Sequence, residues 1–502
     1  MKRFFPLLFV CSTAFAGPGP KDGSAFDLEM PFPEPGTKGR FVADGTNLRL
    51  QGDPKGSRRT LVGTNLTGMA CYPTSDSQAA SWAKDLARRG YNVVRLHHID
   101  WVIRDRGWGF KANADRFIAA LKREGIYVTI DLFSDRVEDR SGFKRGVING
   151  DARIRNDWAT YAKRLLTQPS GAKGCQAWKD EPAIFGINPL NEDDPRFIGA
   201  STSRYDSAYR WMLKVVRDTG YDGLVWGLNS GVNPAFRSTA TLFNVEDFHV
   251  YWDHPMGDES LDTSGVRQHW QFPNRQFATR PWITTEWGSL PYNKFRGETG
   301  LFFAAQMAHA KASAVMSYAL ATGESLMSSQ LLPIDQFGFS TDPVRLATDR
   351  IMVLLLRRPA DNVRVNWNRG QGTYSYDSSL YKIRIEGEGN NREADFLGSL
   401  DGTSLGSSKR MLLVRFGDAQ NSGFRSRLVR DRVVFKVENR GGAPVREIAN
   451  TSPYEIRSSR NLRAYDLDPY TGARRRELSI RESRQGVWTL RAQGINTEIV
   501  GS

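Results

Sequence analysis

A chain of 502 residues is too long for one small domain and long enough for a large barrel with an accessory domain. Apolar residues at 40% and charged residues at 25% exclude a disordered chain, and a mean hydropathy of −0.48 excludes a polytopic membrane protein. Lys and Arg exceed Asp and Glu by 14, and 8 of that excess falls between residues 401 and 502, a charge suited to an acidic polysaccharide or to a solvated arginine-rich face.

Residues 1–16 read as an export signal: a basic start at Lys2-Arg3, an apolar run too short to span a bilayer, and Ala14-Phe15-Ala16 as the cleavage site. The mature protein is therefore expected to be secreted or periplasmic, with no transmembrane segment and no nucleic-acid partner. It keeps Cys71 and Cys175, for which pairing and two free thiols are both open. Residues 17–59 form a short β lead-in.

From residue 60 the pattern alternates strand and helix. Strands are expected at 61–67, 92–98, 127–132, 183–192, 224–229, 248–252, 282–287 and 314–318. Between the first two, Ser75 or Asp76 caps a helix with Ala79, Trp82, Ala83 and Leu86 on one face, and Gly90 ends it. Further helices carry Phe117, Ala120 and Leu121; Trp158, Ala162 and Leu165; and Ala208, Met212 and Val215; others are expected at 299–312 and 343–357. Eight such units over 60–361 mean an α/β chain folded as a closed (β/α)8 (TIM) barrel. An open doubly wound sheet is the alternative, but no G-x-G-x-x-G or P-loop follows any strand. Residues 362–502 switch to period-two strands such as 381–386 and 433–438, separated by turn residues, and read as an all-β, sandwich-like accessory domain.

Barrel chemistry lies at the C-terminal ends of the strands. Here those ends carry Arg95, His97, His98, Asp131, Asn191, Glu192, Asn229, His249, Tyr251 and Glu286. Glu192 closes strand four and Glu286 strand seven, on opposite sides of the mouth. Two converging carboxylates suit glycoside hydrolysis: one protonates the leaving oxygen, and the other attacks the anomeric carbon or activates water, depending on their separation. His97-His98 lack a third ligand at sensible spacing, so neither a metal nor another cofactor is expected.

Asn191-Glu192, Glu286 within Thr284-Thr285-Glu286-Trp287-Gly288, His249-Val250-Tyr251 and Arg95 together resemble glycoside hydrolase clan A, most closely family 5, the cellulases and mannanases. The resemblance covers about residues 40–357. It implies retention, with Glu192 as general acid/base and Glu286 as nucleophile, and a β-linked poly- or oligosaccharide substrate, neutral or anionic, cut preferentially in endo fashion. Tyr251 and Arg95 would keep Glu286 ionised, His249 would work near Glu192, Asn191 would bond the sugar 2-OH, and Glu192 would hold the raised pKa of an acid. The family's histidine after strand three is replaced by Asp131-Leu132-Phe133-Ser134, so His98 is expected to stand in. Asp193-Asp194-Pro195 follows the Asn-Glu pair, and Tyr318 takes the place of the strand-eight tryptophan. Trp252 and Trp287, adjoining matched residues, are expected to stack on sugar, with Tyr72, Trp101, Trp108 and Phe110 near the loops. A glycan-binding barrel without catalysis, an exo-acting glycosidase and an unrelated serine esterase remain alternatives.

Overall fold

The computed structural model describes residues 19–134, 140–230, 236–252, 260–262, 279–289, 291, 293–322, 337–368, 373–386, 393–417, 419–429, 434–439, 441–447 and 452–502. The expected export signal and the Asp253-His254-Pro255 segment after strand six lie outside them, as does the side chain of Trp252. No helix among the described residues is long and apolar enough to cross a membrane.

Eight parallel strands make the barrel: β1 (Leu61–Thr67), β2 (Val93–His97), β3 (Tyr127–Asp131), β4 (Ile184–Asn188), β5 (Leu224–Val225), β6 (Glu246–Trp252), β7 (Trp282–Ser289) and β8 (Ala314–Thr322). Their order, β5-β4-β3-β2-β1-β8-β7-β6, joins the first strand to the eighth. Between β5 and β6 the amide of His249 donates to the Asn229 carbonyl at 2.7 Å. The main helices are α1 (Asp76–Arg88), α2 (Lys111–Arg123), α3 (Ala152–Thr167), α4 (Thr202–Asp218), α5 (Arg296–His309) and α6 (Pro343–Arg357). Local chemistry sets their starts. Ser75 caps α1 by accepting the Gln78 amide at 3.1 Å, Asp151 caps α3 through Ile154 at 2.9 Å, and Asp342 with Pro343 opens α6.

Strand β5 is shorter than the expected 224–229. Leu228 turns left-handed at φ 58°, which ends the extended run and swings Asn229 to the mouth. At the other end of the barrel the early residues of the strands (Leu61, Val93, Tyr127, Phe185, Leu224, Ile283 and Ala314) form an apolar plug. The antiparallel hairpin Phe41–Asp44/Asn47–Leu50 of the lead-in closes it with Phe41, Leu48 and Leu50.

The C-terminal region is all-β. Its main sheet comprises β9 (Arg364–Asn368), β10 (Thr373–Asp377), β11 (Tyr381–Glu386), β12 (Glu393–Ser399), β13 (Arg410–Phe416), β14 (Leu462–Leu467), β15 (Arg474–Leu478) and β16 (Asn496–Gly501). The strands are antiparallel in the order β9-β10-β11-β12-β13-β16-β14-β15. Alternate side chains go to opposite faces. Phe396, Leu412 and Val414 join the barrel core, while Leu397, Met411 and Leu413 face a second core. A three-stranded sheet (Tyr454–Arg457, Ile480–Arg484, Val487–Leu490) covers that second core, which gives the sandwich character. Helix α5 lies so close to the main sheet that a Cβ on Gly297 would sit 2.6 Å from the Phe416 ring. Arg296, fully buried, donates to Asp342 at 2.7 Å and to Ala419 O and Asn421 Oδ1 at 3.2 Å, tying barrel to sheet.

Both cysteines are unpaired and buried, and burial pushes each thiol up, Cys175 to about 12. The pattern G-x-S-x-G occurs once, at Gly402-Thr403-Ser404-Leu405-Gly406, in the exposed turn between β12 and β13. It is not the strand-to-helix elbow that a serine esterase needs.

Candidate active site

The mouth of the barrel is built around one buried cation. Arg95, 1% exposed on β2, spends its fork on four oxygens: Glu286 Oε1 at 2.5 Å, Asp131 Oδ1 at 2.9 Å, Asn191 Oδ1 at 2.8 Å and Asn65 Oδ1 at 3.2 Å. A guanidinium only donates, so each of these atoms is fixed as an acceptor. Two consequences follow for the amides. Asn65 turns its Nδ2 to the carbonyls of Thr285 and Ser317, stitching β1 to β7 and β8. Asn191 receives a second bond on Oδ1 from Asn229 Nδ2 at 3.1 Å, which leaves its own Nδ2 to serve a ligand.

Glu286 is 3% exposed and held from both sides, since the Tyr251 hydroxyl donates to Oε2 at 2.5 Å. His249 and Tyr251 lie two apart on β6 and face the same way. His249 Nδ1 stands 2.8 Å from Glu192 Oε1 and 3.4 Å from Glu286 Oε2, so it bridges the two carboxylates. One oxygen of each carboxylate and a His249 nitrogen lie within 4.8 Å of one another, the one such trio of histidine and acids among the described residues. That spacing would also admit a small metal ion. However, the inward oxygens already accept bonds from Arg95, Tyr251 and His249, and the trio reads as a seat for a proton. Glu192 differs from Glu286 in position. Its side chain is 41% exposed, its backbone is left-handed at φ 47°, its amide donates to Asn229 Oδ1 and its carbonyl accepts from Lys144.

The expectation of a raised pKa for Glu192 is corrected by this geometry. Although its side chain opens to solvent, the surrounding mouth partly desolvates its carboxyl and raises it; the hydrogen bond and charge of His249 outweigh this and hold it well below the usual carboxylate range. Burial lowers His249, and the charges of Glu286, Glu192 and Asp247 outweigh that and raise it. Both shifts favour the ionised pair, Glu192 as carboxylate and His249 as imidazolium. Beneath the mouth, Asp131 is held low: burial raises it, and Arg95 and His97 lower it further. Burial pushes Asp193, directly after Glu192, up to about 7 even though the Tyr209 hydroxyl donates to it at 2.7 Å.

His97 and His98 divide. His97 faces inward, with Nδ1 2.5 Å from Asp131 and Nε2 3.7 Å from Glu286. His98 stands outside the strand at φ 58°. Its Nδ1 meets the Ser134 hydroxyl at 3.0 Å, its Nε2 meets the Tyr318 hydroxyl at 3.5 Å, and its ring stacks edge-on with Trp101 at 5.6 Å. Tyr318 completes this wall 6.1 Å from the Tyr251 ring. His98, Glu192 and Leu228 are three of the five non-glycine residues with positive φ among the described residues, and all three ring the mouth. Such backbone costs about 1–3 kcal/mol each and persists where surrounding structure imposes it.

Trp287 is a correction. It is 1% exposed, stacked on Phe303 of α5 at 4.4 Å, and turned away from the mouth. Glu286 points inward, so its neighbour must point outward to the helix layer. Trp287→Phe is accordingly expected to lower stability by about 1–2 kcal/mol with KM unchanged, as thermal unfolding beside kinetics would show. Trp252 pairs by its backbone with Ser289.

Sequence reasoning passed over Asn65, Lys144, Asp247 and Thr285. Asn65 carried a usable signal, an amide side chain in a strand that otherwise holds only Leu, Val, Gly and Thr.

No protein-family model matches the chain, and no curated protein sequence does either. Among solved structures it is similar to an endo-β-1,4-mannanase from Thermotoga petrophila, at 14% identity and a TM-score of 0.47, over 80% of this chain and 94% of that one. It is similar to an endo-1,4-β-mannanase from Rhizomucor miehei at 16% identity and 0.47, over 63% and 99%. A third likeness is to a β-mannanase from the blue mussel Mytilus edulis, at 14% and 0.41, over 64% and 98%.

Proposed function

We propose that this protein is an exported, retaining glycoside hydrolase that cuts β-linked polysaccharide by double displacement. The observation that carries the reading is the pair Glu192 and Glu286, one open and one buried, with carboxylate oxygens within 4.8 Å and a shared histidine between them. Oxygens this close support the retaining arrangement, in which the carboxyl groups lie about 5–5.5 Å apart, over the wider spacing of an inverting pair.

In the first step Glu286 Oε2 bonds to the anomeric carbon while the bond to the leaving oxygen breaks and Glu192 gives that oxygen a proton. The Glu286 charge is one of those holding the proton on His249. As that charge is used up in the new bond, the His249 proton passes to Glu192 and on to the leaving group. In the second step Glu192 takes a proton from water, which displaces Glu286. Asn191 Nδ2 bonds the sugar 2-OH on this reading, supported by the two bonds that already occupy its Oδ1. The wall of rings from Tyr251 through Tyr318 and His98 to Trp101, the last 38% exposed, supports several sugar positions and hence endo action. The arginine-rich C-terminal region favours an anionic polymer.

The test is hydrolysis across β-mannan, β-glucans, xylan, galactans and anionic algal polysaccharides, with products resolved by size and the first anomer identified by proton NMR. A ladder of oligosaccharides with retained configuration is expected. Binding without cleavage of any polymer would overturn the hydrolase in favour of a glycan-binding barrel. Amino-terminal sequencing of the mature protein should begin at Gly17.

A further inference from the structure

Behind His249 lies a carboxylate with no place in the steps above. Asp247, on β6 two residues before His249 and 6% exposed, accepts twice from Thr285: the amide donates to Oδ1 at 2.9 Å and the hydroxyl to Oδ2 at 2.6 Å. Thr285 is fully buried and has one hydroxyl proton. With that proton given to Asp247, only lone pairs of its Oγ1 face His249 Nε2, 3.0 Å away. Nε2 also meets Asn229 Nδ2 at 3.0 Å. Asn229 cannot be turned over, because its Oδ1 takes the Glu192 amide and its Nδ2 serves Asn191. Nε2 therefore sits between an acceptor and a donor, and a bare or a protonated nitrogen can each be met. The buried charge behind Thr285 decides between them.

We propose that Asp247 is a positioning residue for the proton that Glu192 delivers: through Thr285 it keeps His249 Nε2 protonated, so that Nδ1 and Glu192 share one mobile proton. This rests on the hydrolase reading and deepens it. Glu192, Glu286 and Asp247 face the imidazole as acids, with Arg95 of β2 and Lys144 of the helix Arg140–Asn149 as the nearby cations, the His97 ring of β2 close by and the Tyr251 phenol on its own strand. Among these, Asp247 is the acid that neither bonds a sugar nor receives a proton in the steps above; burial raises its carboxyl, and the charge of His249, the bonds from Thr285 and the charge of Arg95 work to keep it ionised. In Asp247→Asn the amide nitrogen can donate to Thr285, whose hydroxyl then turns its proton to Nε2. His249 becomes a neutral Nδ1–H tautomer and the reserve proton is lost.

The full-length wild type, Asp247→Asn, Thr285→Val and Thr285→Ser would be compared by pH profile of kcat/KM on whichever glycan wild type cuts. The basic limb reports loss of the proton from the His249–Glu192 pair. Removing a nearby negative charge makes that loss easier, so the limb should move to lower pH by about one unit in Asp247→Asn; Thr285→Val keeps the charge but removes the Oγ1 acceptor that faces Nε2, and should move the limb in the same direction, with KM little changed in both. Thr285→Ser, which keeps the hydroxyl, should hold the limb at the wild-type position. A uniform drop in activity at every pH with the limb unmoved would reduce Asp247 to a packing role and overturn the proposal. The same chains labelled with 15N-histidine give a second measurement that needs no substrate. The chain has six histidines, and His249→Gln identifies the signal of interest. If no β-glycoside is cut by wild type yet the His249 midpoint falls in Asp247→Asn, the relay stands and the hydrolase reading fails. If activity is present and the midpoint stays, the relay fails alone.

Discussion

A Glu286→Gln enzyme is expected to lose kcat by about 10⁴-fold or more, the scale on which removal of a covalent nucleophile acts. The change is nearly isosteric and breaks little of the surrounding frame. Arg95 can still donate to the amide oxygen, and the Tyr251 hydroxyl can turn. Folding should therefore survive, and a far-ultraviolet spectrum and Tm close to wild type would show it. On the proposed double displacement, what disappears is the attacking carboxylate oxygen, together with the negative charge that helps raise His249. Substrate binding should persist, because Asn191 and the ring wall are untouched, so the loss should fall on kcat with KM within a few-fold. Glu286→Gln with full activity on the preferred polymer would remove Glu286 from the chemistry.

Arg95→Met should have the largest effect on stability. The guanidinium is buried among Asp131, Glu286, Asn65 and Asn191. Without it the buried Asp131 and Glu286 lose the one side chain that donates to both, and breaking such a buried pair costs about 3–5 kcal/mol. The pH dependence has a definite sign. Asp131 is held below its usual range in the folded protein, so its pairing stabilises the fold above about pH 4, the unfolded value, and that contribution is lost as pH falls. The difference between wild type and Arg95→Met should accordingly be widest near pH 7 and narrow below about pH 4. Urea unfolding at the two pH values measures it, and a constant difference would mean that Arg95 acts by packing rather than by charge.

The barrel was legible because its strands separate two kinds of residue along their length. Apolar side chains such as Leu61, Val93 and Ile283 begin them and plug the base; Arg95, Asp131, Tyr251 and Glu286 lie toward their ends and surround the mouth. Glu192 was legible as a carboxylate at the mouth end of strand four, although the strand stops at Asn188 and Glu192 lies in the turn after it; its charge state was not legible, because that depends on a 2.8 Å distance to a histidine 57 residues away. Trp287 was misjudged by adjacency: being next to Glu286 in sequence places it on the other face of the strand. Asp247 was hidden for a different reason. The apolar pattern of the sixth strand becomes recognisable only at Phe248, so Asp247 fell outside it, and nothing in the sequence marks how deep the strand carries it. The sandwich-like character of residues 362–502 was legible from their alternation, but which small sheet covers Leu397, Met411 and Leu413 is fixed only by the fold.

That two-faced sheet sets how freely the gene can be cut and recombined. Helix α6 is buried along nearly its whole length, and Phe302 of α5 meets Trp367 and Tyr374 edge-on at 5.0 Å. The Tyr381 hydroxyl bonds the carbonyls of Leu354 and Arg358 that end α6. A chain stopped after the barrel would present these helices to water as a broad oily surface, and the freed sheet would do the same. Barrel and sheet therefore travel as one inheritable unit, unlike appendages strung on a flexible tether, and transplanting the catalytic mouth onto another binding partner would mean carrying the sheet along.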